Sequence, residues 1–322
     1  MAADEAPLTL RVARIEALGP RIRMFELVSA DGRALPHFAA GAHIDVEIPE
    51  IEGRSYSLLN PPGGDCWRIA VLRERDGRGG SAFMHDQVKV GDVLAASGPE
   101  NHFALSAQAD FHLLIAGGIG ITPILAMTEE LAARGGAFEL HYCARSREEA
   151  AFADELAARL GAGLHLYLDG GDPAQGLDIA GLLKSKPAGG HAYVCGPRGM
   201  IQAVREASTH WPVGTVHWEA FAGNDADTAP RKTDSAFEIE LARSGQVLTV
   251  PADRTILDVL RDAGVKVKML CRDGVCGTCK TRYLGGAVEH RDEVLTVAEQ
   301  GRFLQVCVSR GKPEAGPLIL DL

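Results

Sequence analysis

Hydrophobic and polar residues alternate along the first third of the chain. The apolar segments are short, and Gly, Pro, Asn and Asp separate them, as between Asn60 and Gly64. The segments that this alternation predicts as strands are 8–15, 24–28, 43–48, 55–59 and 67–72. Many short strands with frequent turns are typical of an antiparallel barrel. We therefore predict an antiparallel β-barrel domain over residues 1–108.

The apolar pattern changes after about residue 110. The runs that suit strands are 112–116, 138–143, 164–168, 191–195 and 213–219, and those with helical spacing are 123–134, 148–160 and 200–208. Strands that alternate with helices predict a parallel sheet with helices on both faces. We assign this α/β domain to residues 109–223.

A polar stretch rich in Gly, Asn and Asp follows and predicts a linker over residues 224–233. Residues 234–322 again contain short strand-like segments. The elements predicted there are a hairpin of strands 237–241 and 247–250, a helix at 256–263, and strands at 280–283, 303–309 and 318–322. The fold class is therefore predicted to be multidomain, with three modules.

Charge and composition exclude several classes of protein. The chain has 322 residues with 33 Lys+Arg against 43 Asp+Glu, a formal net charge of -10. This balance argues against a nucleic-acid partner and against an anionic membrane surface. The sequence contains no run of 18 apolar residues, so no membrane-spanning helix is predicted. The first residues lack the pattern of a signal peptide. We expect a cytoplasmic protein, and a monomer by default.

The distribution of cysteines gives the first chemical signal. Seven cysteines, an odd number, with no export signal, argue against a disulfide framework. Four of them have the plant-type [2Fe-2S] spacing, C-x4-C-x2-C with a distant fourth ligand. These predicted metal ligands are Cys271, Cys276, Cys279 and Cys307.

The loop between the first three of these cysteines contains Gly274 and Gly277. Small residues allow backbone N–H groups to approach the sulfurs, where hydrogen bonds tune the potential. A zinc site is the first alternative, although zinc sites more often use two pairs of ligands. Buried, unreactive cysteines are the second alternative, and they are common singly rather than at this spacing.

A glycine-rich loop joins a predicted strand to a predicted helix. It contains Gly117, Gly118 and Gly120, and the exposed N–H groups of such a helix start suit a pyrophosphate. As a dinucleotide fingerprint the loop is imperfect, because Pro123 stands where Gly or Ala is usual. A plain strand-to-helix turn is the alternative.

A second loop, Cys195-Gly196-Pro197, follows a later strand of the same domain. The two loops together resemble the NAD-binding domain of the ferredoxin-reductase superfamily. This resemblance implies that the first loop holds pyrophosphate and that the second lies beside the nicotinamide. A nucleophilic role for Cys195 is disfavoured, because hydride transfer needs no nucleophile. The implied NAD contacts are Gly117, Gly118, Gly120, Thr122, Arg145, Cys195, Gly196 and Pro197.

Two arginines bear on the choice of nucleotide. Arg145 and Arg147 follow a predicted strand, where a ribose 2′-phosphate is recognised in NADPH enzymes. The alternative is a solvated helix start ahead of Glu148. The family resemblance favours NADH.

The segment Arg54-Ser55-Tyr56-Ser57 resembles the R-x-Y-S flavin motif of the same superfamily. In that interpretation Arg54 meets the phosphate, Tyr56 packs on the isoalloxazine and Ser57 points toward flavin N5. A barrel strand with an exposed arginine is the alternative.

The glycine loop at 77–81 is a second candidate anion site ahead of a predicted helix at 82–87. Phe221 resembles the aromatic residue that covers the flavin, or else it is a core aromatic at a domain boundary. The implied flavin contacts are Arg54, Ser55, Tyr56, Ser57, Ala70, Val71, Leu72, Gly79, Gly80, Ser81, Thr122 and Phe221, with 70–72 acting through backbone atoms.

The order of modules resembles the phthalate dioxygenase reductase family over essentially the whole chain, including the reductase component of vanillate demethylase. The resemblance implies a C-terminal β-grasp ferredoxin domain, and FMN rather than FAD. It implies electron flow from NADH through FMN and the [2Fe-2S] cluster to a terminal Rieske-type oxygenase of aromatic catabolism. No acid–base residue is expected, because the cofactors carry the hydride and the electrons.

Two alternatives stay open at this point. The same reductase could serve a cytochrome P450 or another monooxygenase. The chain could also be a non-enzymatic electron carrier or redox sensor, in which the first two domains only support the ferredoxin. The oxygenase substrate leaves no mark on the sequence, because it never touches this chain.

Overall fold

The computed structural model describes residues 7–49, 51–61, 63–75, 77, 79–221, 233–269, 272, 274, 277–292, 294–295 and 297–322. Contacts divide the chain into two units, Met1–Ala220 and Phe221–Leu322. Residues 224–232 of the predicted linker lie outside the described residues. Within the described part, no helix is both long and apolar enough to span a bilayer.

The first unit begins with an antiparallel sheet of six strands. They are β1 Leu8–Ala17, β2 Ile22–Ser29, β3 Ala42–Ile48, β4 Ile51–Ser57, β5 Cys66–Leu72 and β6 Val93–Asn101, with helix α1 Gly80–Asp86 between β5 and β6. Their order is β4-β3-β6-β1-β2-β5, and the two edge strands β4 and β5 also contact each other. The sheet therefore curls into the predicted barrel, around a core that includes Phe25, Ile44 and Trp67.

Two strands of the barrel differ from the sequence prediction. Strand β4 begins and ends earlier than the predicted 55–59. Strand β6 was not predicted, because Gly98 and Pro99 interrupt it and both residue types are unfavourable inside strands. It nevertheless lies between β1 and β3, near the middle of the sheet.

The rest of the first unit is a parallel sheet with helices on both faces, as predicted. Its strands are β7 Phe111–Gly117, β8 Ala137–Ala144, β9 Leu164–Leu168, β10 Gly190–Cys195 and β11 Val216–Glu219, and its helices are α2 Ile121–Ala133, α3 Ala153–Leu160, α4 Ile179–Leu183 and α5 Arg198–Ala207. Alternate strand residues face opposite sides: Leu114 packs with α2 and α3, and Leu113 packs with α4 and α5.

The strand order β11-β10-β7-β8-β9 contains one reversal of direction. The chain moves from β7 outward through β8 to β9, and then returns to the other side of β7 to form β10. Ligands of such sheets bind outside the carboxyl ends of the strands at the reversal. The loops that follow β7 and β10 lie at this point.

Helix α3 begins later than the sequence predicts. The predicted helix at 148–160 starts at Ala153, and Phe152 has a positive φ of 63°. The preceding segment packs against the barrel, since a Cβ at Gly19 would lie 2.6 Å from the Glu148 carbonyl oxygen. This tertiary contact outweighs the local helical pattern.

The barrel and the parallel sheet share one hydrophobic core. Ile22 and Met24 of β2 pack in the same cluster as Ile121 and Leu125 of α2. The barrel strand β5 also contacts the 3₁₀ turn Gly118–Gly120, which follows β7. Within this unit the two domains are therefore held in a fixed arrangement.

The second unit is a small mixed sheet with one main helix. Its elements are β12 Phe237–Leu241, β13 Gln246–Val250, α6 Ile256–Asp262, β14 Lys280–Gly285, β15 Val288–Glu289, α7 Val297–Gln300, β16 Phe303–Gln305, β17 Arg310–Gly311 and β18 Leu318–Leu320. The sheet order is β13-β12-β18-β14-β16, with β12 and β18 parallel. Helix α6 packs its apolar residues on this sheet, as in the predicted β-grasp fold.

The predicted strand at 303–309 is wrong in its second half. Strand β16 ends at Gln305, whose carbonyl accepts hydrogen bonds from the N–H groups of Val308 and Ser309. These bonds form a turn at residues 306–308. The turn carries Cys307 into the domain core, where a straight strand would alternate its side chains across the sheet.

Candidate functional site

The loops after β7 and β10 are in close contact at the reversal of the parallel sheet. A Cβ at Gly120 would overlap the carbonyl of Cys195, and one at Gly196 would lie 3.0 Å from the Cα of Gly117. Only glycine allows the two backbones to approach this closely. The structure thus brings together the predicted nucleotide residues Gly117, Gly120, Cys195 and Gly196. A narrow surface of backbone groups suits a pyrophosphate.

Cys195 lies at the end of β10 and is fully buried. Burial raises the pKa of its thiol well above the usual value, and the charge of Glu219 raises it further. Glu219 is its direct neighbour in the register of β10 and β11. A neutral thiol is a poor nucleophile, which agrees with a packing role beside a ligand.

Arg145 and Arg147 lie at the same edge of the sheet, after β8. Arg145 is exposed, and its carbonyl accepts a hydrogen bond of 3.0 Å from the Gly170 N–H. The guanidinium of Arg147 pairs with Asp154 in the first turn of α3. Of the two arginines, Arg147 is therefore committed to an internal ion pair.

In the barrel, Arg54 of β4 lies against the start of α1. A Cβ at Gly80 would lie 2.8 Å from Cγ of Arg54 and 3.0 Å from its Nε. Gly79 precedes the helix with a φ of 90°, in the region that favours glycine. A cation and a glycine-lined helix start, from two separate predicted motifs, therefore meet in space.

Ser57 ends strand β4 and is 5% exposed. Among the described residues, its Oγ has no hydrogen-bond partner. A buried hydroxyl without a partner costs free energy, about 1–3 kcal/mol. Its neighbour Tyr56 is partly buried, and desolvation raises the pKa of its phenol. These two groups fit a flavin, which presents a flat ring and hydrogen-bonding nitrogens.

The other predicted flavin residues have varied surroundings. Ser55 Oγ donates to Asp45 at 2.5 Å, Ser81 Oγ accepts from the Glu74 N–H at 3.0 Å, and Thr122 Oγ1 donates to the Ile119 carbonyl at 3.0 Å. Phe221, just after β11, is 38% exposed. An aromatic ring with this exposure is available for contact with a ligand.

The predicted contact segment Ala70–Leu72 is at the end of β5. The carbonyl of Val71 accepts a hydrogen bond that the sequence did not predict. Nε2 of His85, a buried residue of α1, lies 2.8 Å from the Val71 carbonyl and donates to it. Burial lowers the pKa of His85, so the ring is neutral near pH 7. Arg23 donates in turn to the carbonyl of His85 at 2.5 Å. Helix α1 is thereby fixed to the strand that contacts the Gly118–Gly120 turn.

In the second unit, two of the four predicted metal ligands are described and are adjacent. The Sγ atoms of Cys279 and Cys307 are 3.1 Å apart, well beyond the ~2.05 Å of a disulfide bond. Both residues are buried, at 3% and 2% exposure. Two buried thiols at this distance fit a shared metal centre. Cys271 and Cys276 lie outside the described residues.

Gln305 is the polar side chain next to this pair of thiols. Its Oε1 lies 3.0 Å from Cys279 Sγ, and its Nε2 is buried with no partner among the described residues. The two ends of an amide side chain are assigned from the hydrogen-bond network. A reversed amide would turn the N–H toward the sulfur, which is the arrangement a thiolate ligand favours.

The described parts of the cysteine loop are tied to the rest of the domain. Arg272 has a positive φ of 64° and pairs with Asp258 in the first turn of α6. A Cβ at Gly274 would lie 2.6 Å from Cγ2 of Val308, next to Cys307. The preference for glycine at position 274 thus has a steric basis, since its backbone lies directly against Val308 in the turn of the fourth cysteine.

Two residues near these sites were missed by the sequence analysis. Glu219 is opposite Cys195, and Met200 of α5 would contact a Cβ at Gly117, with its Sδ 2.9 Å away. Both follow from the pairing of β10 with its neighbours. The sequence predicted the strands and the helix that carry these two residues, but it did not indicate that they meet at the reversal of the sheet.

Comparison with known proteins extends these observations. Residues 239–311 match the 2Fe-2S iron-sulfur cluster binding domain. The reductase subunit of a tert-butanol monooxygenase / tert-amyl alcohol desaturase from Aquincola tertiaricarbonis is 44% identical, covering 98% of this chain and 96% of that protein.

Two solved structures are also similar. Phthalate dioxygenase reductase, described as a modular structure for electron transfer from pyridine nucleotides to [2Fe-2S], has a TM-score of 0.76 at 40% identity over 98% of each chain. An intact type IV self-sufficient cytochrome P450 monooxygenase has a TM-score of 0.81 at 37% identity, over 98% of this chain and 41% of that one.

These similarities confirm the predicted arrangement of flavin barrel, parallel-sheet domain and C-terminal ferredoxin domain. They also confirm an oxidoreductase of the oxygenase-reductase type and support the cofactor set FMN, NADH and [2Fe-2S]. The identity extends over nearly the full length, so the chain belongs to the phthalate dioxygenase reductase family.

Proposed function

We propose that this chain oxidises NADH and delivers the electrons, through FMN and a [2Fe-2S] cluster, to a terminal Rieske-type oxygenase. The observation that carries the proposal is the arrangement within the first unit. Arg54, Gly80 and the buried Ser57 hydroxyl lie in the same compact unit as the loops after β7 and β10, which contact each other. A flavin site and a nicotinamide site in one compact unit suit hydride transfer, which depends on close positioning.

The barrel residues bind and orient FMN in this proposal. Arg54 and the N–H groups at Gly79 and Gly80 hold the phosphate. Ser57 Oγ, which has no hydrogen-bond partner among the described residues, bonds to the flavin ring. The ring packs on Tyr56. When bound, FMN supplies the conversion of a two-electron hydride into single electrons.

The loops of the parallel sheet bind NADH. Gly117, Gly118 and Gly120 with Thr122 contact the pyrophosphate, and Gly196 and Pro197 line the nicotinamide, with the fully buried Cys195 packed behind them. The buried, protonated Cys195 excludes water without reacting. Arg147 pairs with Asp154 at the surface, and Arg145 contacts the adenosine end in this proposal. Membership of the phthalate dioxygenase reductase family is what favours NADH over NADPH.

Cys271, Cys276, Cys279 and Cys307 hold the [2Fe-2S] cluster in this proposal. The adjacent thiols of Cys279 and Cys307 support two of the four positions. Burial of both keeps water from the sulfurs, which is one of the properties that set a cluster's potential. We retain the module bounds 1–108, 109–223 and 234–322 for this function.

A cytochrome P450 is the second candidate partner. The similarity to part of a self-sufficient P450 favours it, since there a related module occupies the same chain as the haem domain. The Rieske-type partner is favoured by the full-length similarity to phthalate dioxygenase reductase. We further propose a monomer in the cytoplasm, where thiols outside the cluster, such as Cys66, Cys143 and Cys195, stay reduced.

An anaerobic titration followed by visible absorbance tests the proposal. Holoprotein with its iron content verified is titrated with NADH and, separately, with NADPH. Joint bleaching of flavin and cluster bands at about three electrons per chain is expected, with NADH the more effective donor. If neither nucleotide bleached the bands, the proposed enzyme activity would be wrong, and the chain would be an electron carrier or redox sensor.

A further inference from the structure

A cluster of three metal-binding side chains lies on strands β8 and β9, outside the sites described above. His141 and His165 are direct neighbours in the parallel register, and Glu139 is two residues before His141 on the same face. Their ligand atoms all lie within 4.8 Å of one another. Among the described residues this is the one such group of three or more His, Cys, Asp or Glu.

The environment of His141 leaves one ring nitrogen ready for a ligand. The residue is 4% exposed, and Nδ1 lies 3.1 Å from the hydroxyl of Tyr167. Nε2 is buried and has no hydrogen-bond partner in the described part of the chain, and the nearest Glu139 oxygen is 3.7 Å from it. If Nδ1 carries the proton and donates it to Tyr167, the lone pair of Nε2 points into the cluster.

The cluster has no part in the proposed electron transfer. Leu140 and Tyr142, which alternate with the cluster residues on β8, pack toward α2 and α3. Glu139 and His141 therefore face the opposite side of the sheet. Glu139 lies in the first half of β8 and His141 just past its middle, whereas Arg145 follows its carboxyl end.

We propose that Glu139, His141 and His165 form a binding site for a divalent transition metal, with Zn²⁺ as the best fit. Two imidazoles and one carboxylate are a common zinc ligand set and leave a fourth position for water. Imidazole ligands favour zinc, copper and nickel over magnesium and calcium. Ligand atoms around tetrahedral zinc are about 3.4 Å apart. The His165 ring is stacked on His141, with ring centroids 4.6 Å apart, so metal binding requires the exposed His165 and Glu139 side chains to turn toward a common point. The contact with the Tyr167 hydroxyl holds His141 in place.

The test is equilibrium dialysis of the oxidised holoenzyme against Zn²⁺, with bound zinc counted by elemental analysis. Flavin and cluster content are first verified by absorbance, so that the cluster cysteines are occupied. Wild-type protein is expected to bind one ion per chain in a saturable manner, and excess Mg²⁺ is expected not to compete. The exposed His165→Ala variant is expected to lose at least about tenfold in affinity, and Glu139→Gln is expected to lose less.

The matched control is His210→Ala, which removes an exposed histidine outside the cluster and should bind zinc as the wild type does. Addition of Cu²⁺ in place of zinc gives a second measurement, in which nitrogen couplings in the electron paramagnetic resonance spectrum report two imidazole ligands. Equal zinc affinity of wild type and His165→Ala, or no saturable binding by the wild type, would overturn the proposal. Neither result bears on NADH oxidation, which the titration above tests separately.

Discussion

The nucleotide loops of the first unit and the cysteine turn of the second are built in opposite ways. At the loops, Gly120 presses its backbone against Cys195, and the binding surface consists of main-chain groups. At the turn, Cys279 and Cys307 place two thiols 3.1 Å apart, and the binding atoms belong to side chains. Loss of a side chain therefore destroys the second site, whereas addition of a side chain destroys the first.

The largest expected effect is at the cysteine turn. Cys307→Ser is expected to abolish assembly of a normal cluster, because a thiolate ligand is lost. NADH should still bleach the flavin, and one-electron delivery to cytochrome c should fall to background. Iron analysis and acceptor assays check this. Cys66→Ser is the control, as Cys66 is a half-buried cysteine of the barrel, and it should keep full iron content. A normal cluster in Cys307→Ser would contradict the ligand assignment.

The next effect is an added methyl group at the nucleotide loops. Gly120→Ala places a Cβ on the Cys195 carbonyl, so one backbone must shift. Overpacking of this kind costs about 1–3 kcal/mol, and we expect at least a tenfold rise in KM for NADH together with a lower melting temperature.

Gly199→Ala is the matched control for that variant. Gly199 is exposed in α5, and its Cβ would meet nothing within 4 Å. Alanine there is expected to leave KM unchanged and to stabilise the helix by about 0.5–1 kcal/mol. If both variants had the same KM, close packing of the two loops would not be what forms the site.

A smaller effect, with opposite signs on stability and activity, is expected at Ser57. Ser57→Ala removes a buried hydroxyl that has no partner in the described part of the chain, so the flavin-free protein should gain about 1 kcal/mol in unfolding free energy. FMN affinity and the rate of flavin reduction should both fall. Calorimetry of the apoprotein and stopped-flow absorbance of the holoenzyme check the two arms. A variant that is more stable and fully active would show that Ser57 does not contact the flavin.

The smallest effect is expected at Cys195. Burial raises the pKa of this thiol, so it stays protonated throughout the neutral pH range. Cys195→Ala should keep most of the activity, and its pH profile for NADH oxidation should match that of the wild type. Iodoacetamide should leave Cys195 unmodified in the folded protein, as peptide mass analysis can check. A new pH dependence in the variant would indicate a reacting thiolate.

The two sites also differ in how far the sequence could predict them. Side-chain ligands leave a spacing, so the four cysteines identified their chemistry directly. The backbone surface at Gly120 left only an imperfect glycine motif, which became informative when combined with Cys195-Gly196-Pro197. The strand periodicity predicted both sheets well, because alternate burial is a local property of the chain.

The failures of prediction have tertiary causes. Strand β6 contains Gly98 and Pro99, and its place in the barrel depends on pairing with β1 and β3. The start of α3 is delayed by contact of Glu148 with the turn at Gly19. Cys307 lies in a turn held by the Gln305 carbonyl, although its neighbours are apolar and strand-like. None of these contacts leaves a local signal in the sequence.

We propose that electrons enter this protein only at the nucleotide loops of the first unit, and that they leave it only through the cysteine-bound cluster of the second unit. Stopped-flow absorbance of anaerobic wild type and Gly120→Ala, each mixed with NADH, tests it most directly. We predict that flavin bleaching precedes cluster bleaching in the wild type. At the same subsaturating NADH concentration both should be slower in Gly120→Ala, with cluster bleaching never ahead of flavin bleaching, while dithionite reduces its cluster normally. Cluster reduction by NADH at the wild-type rate in Gly120→Ala would contradict the account.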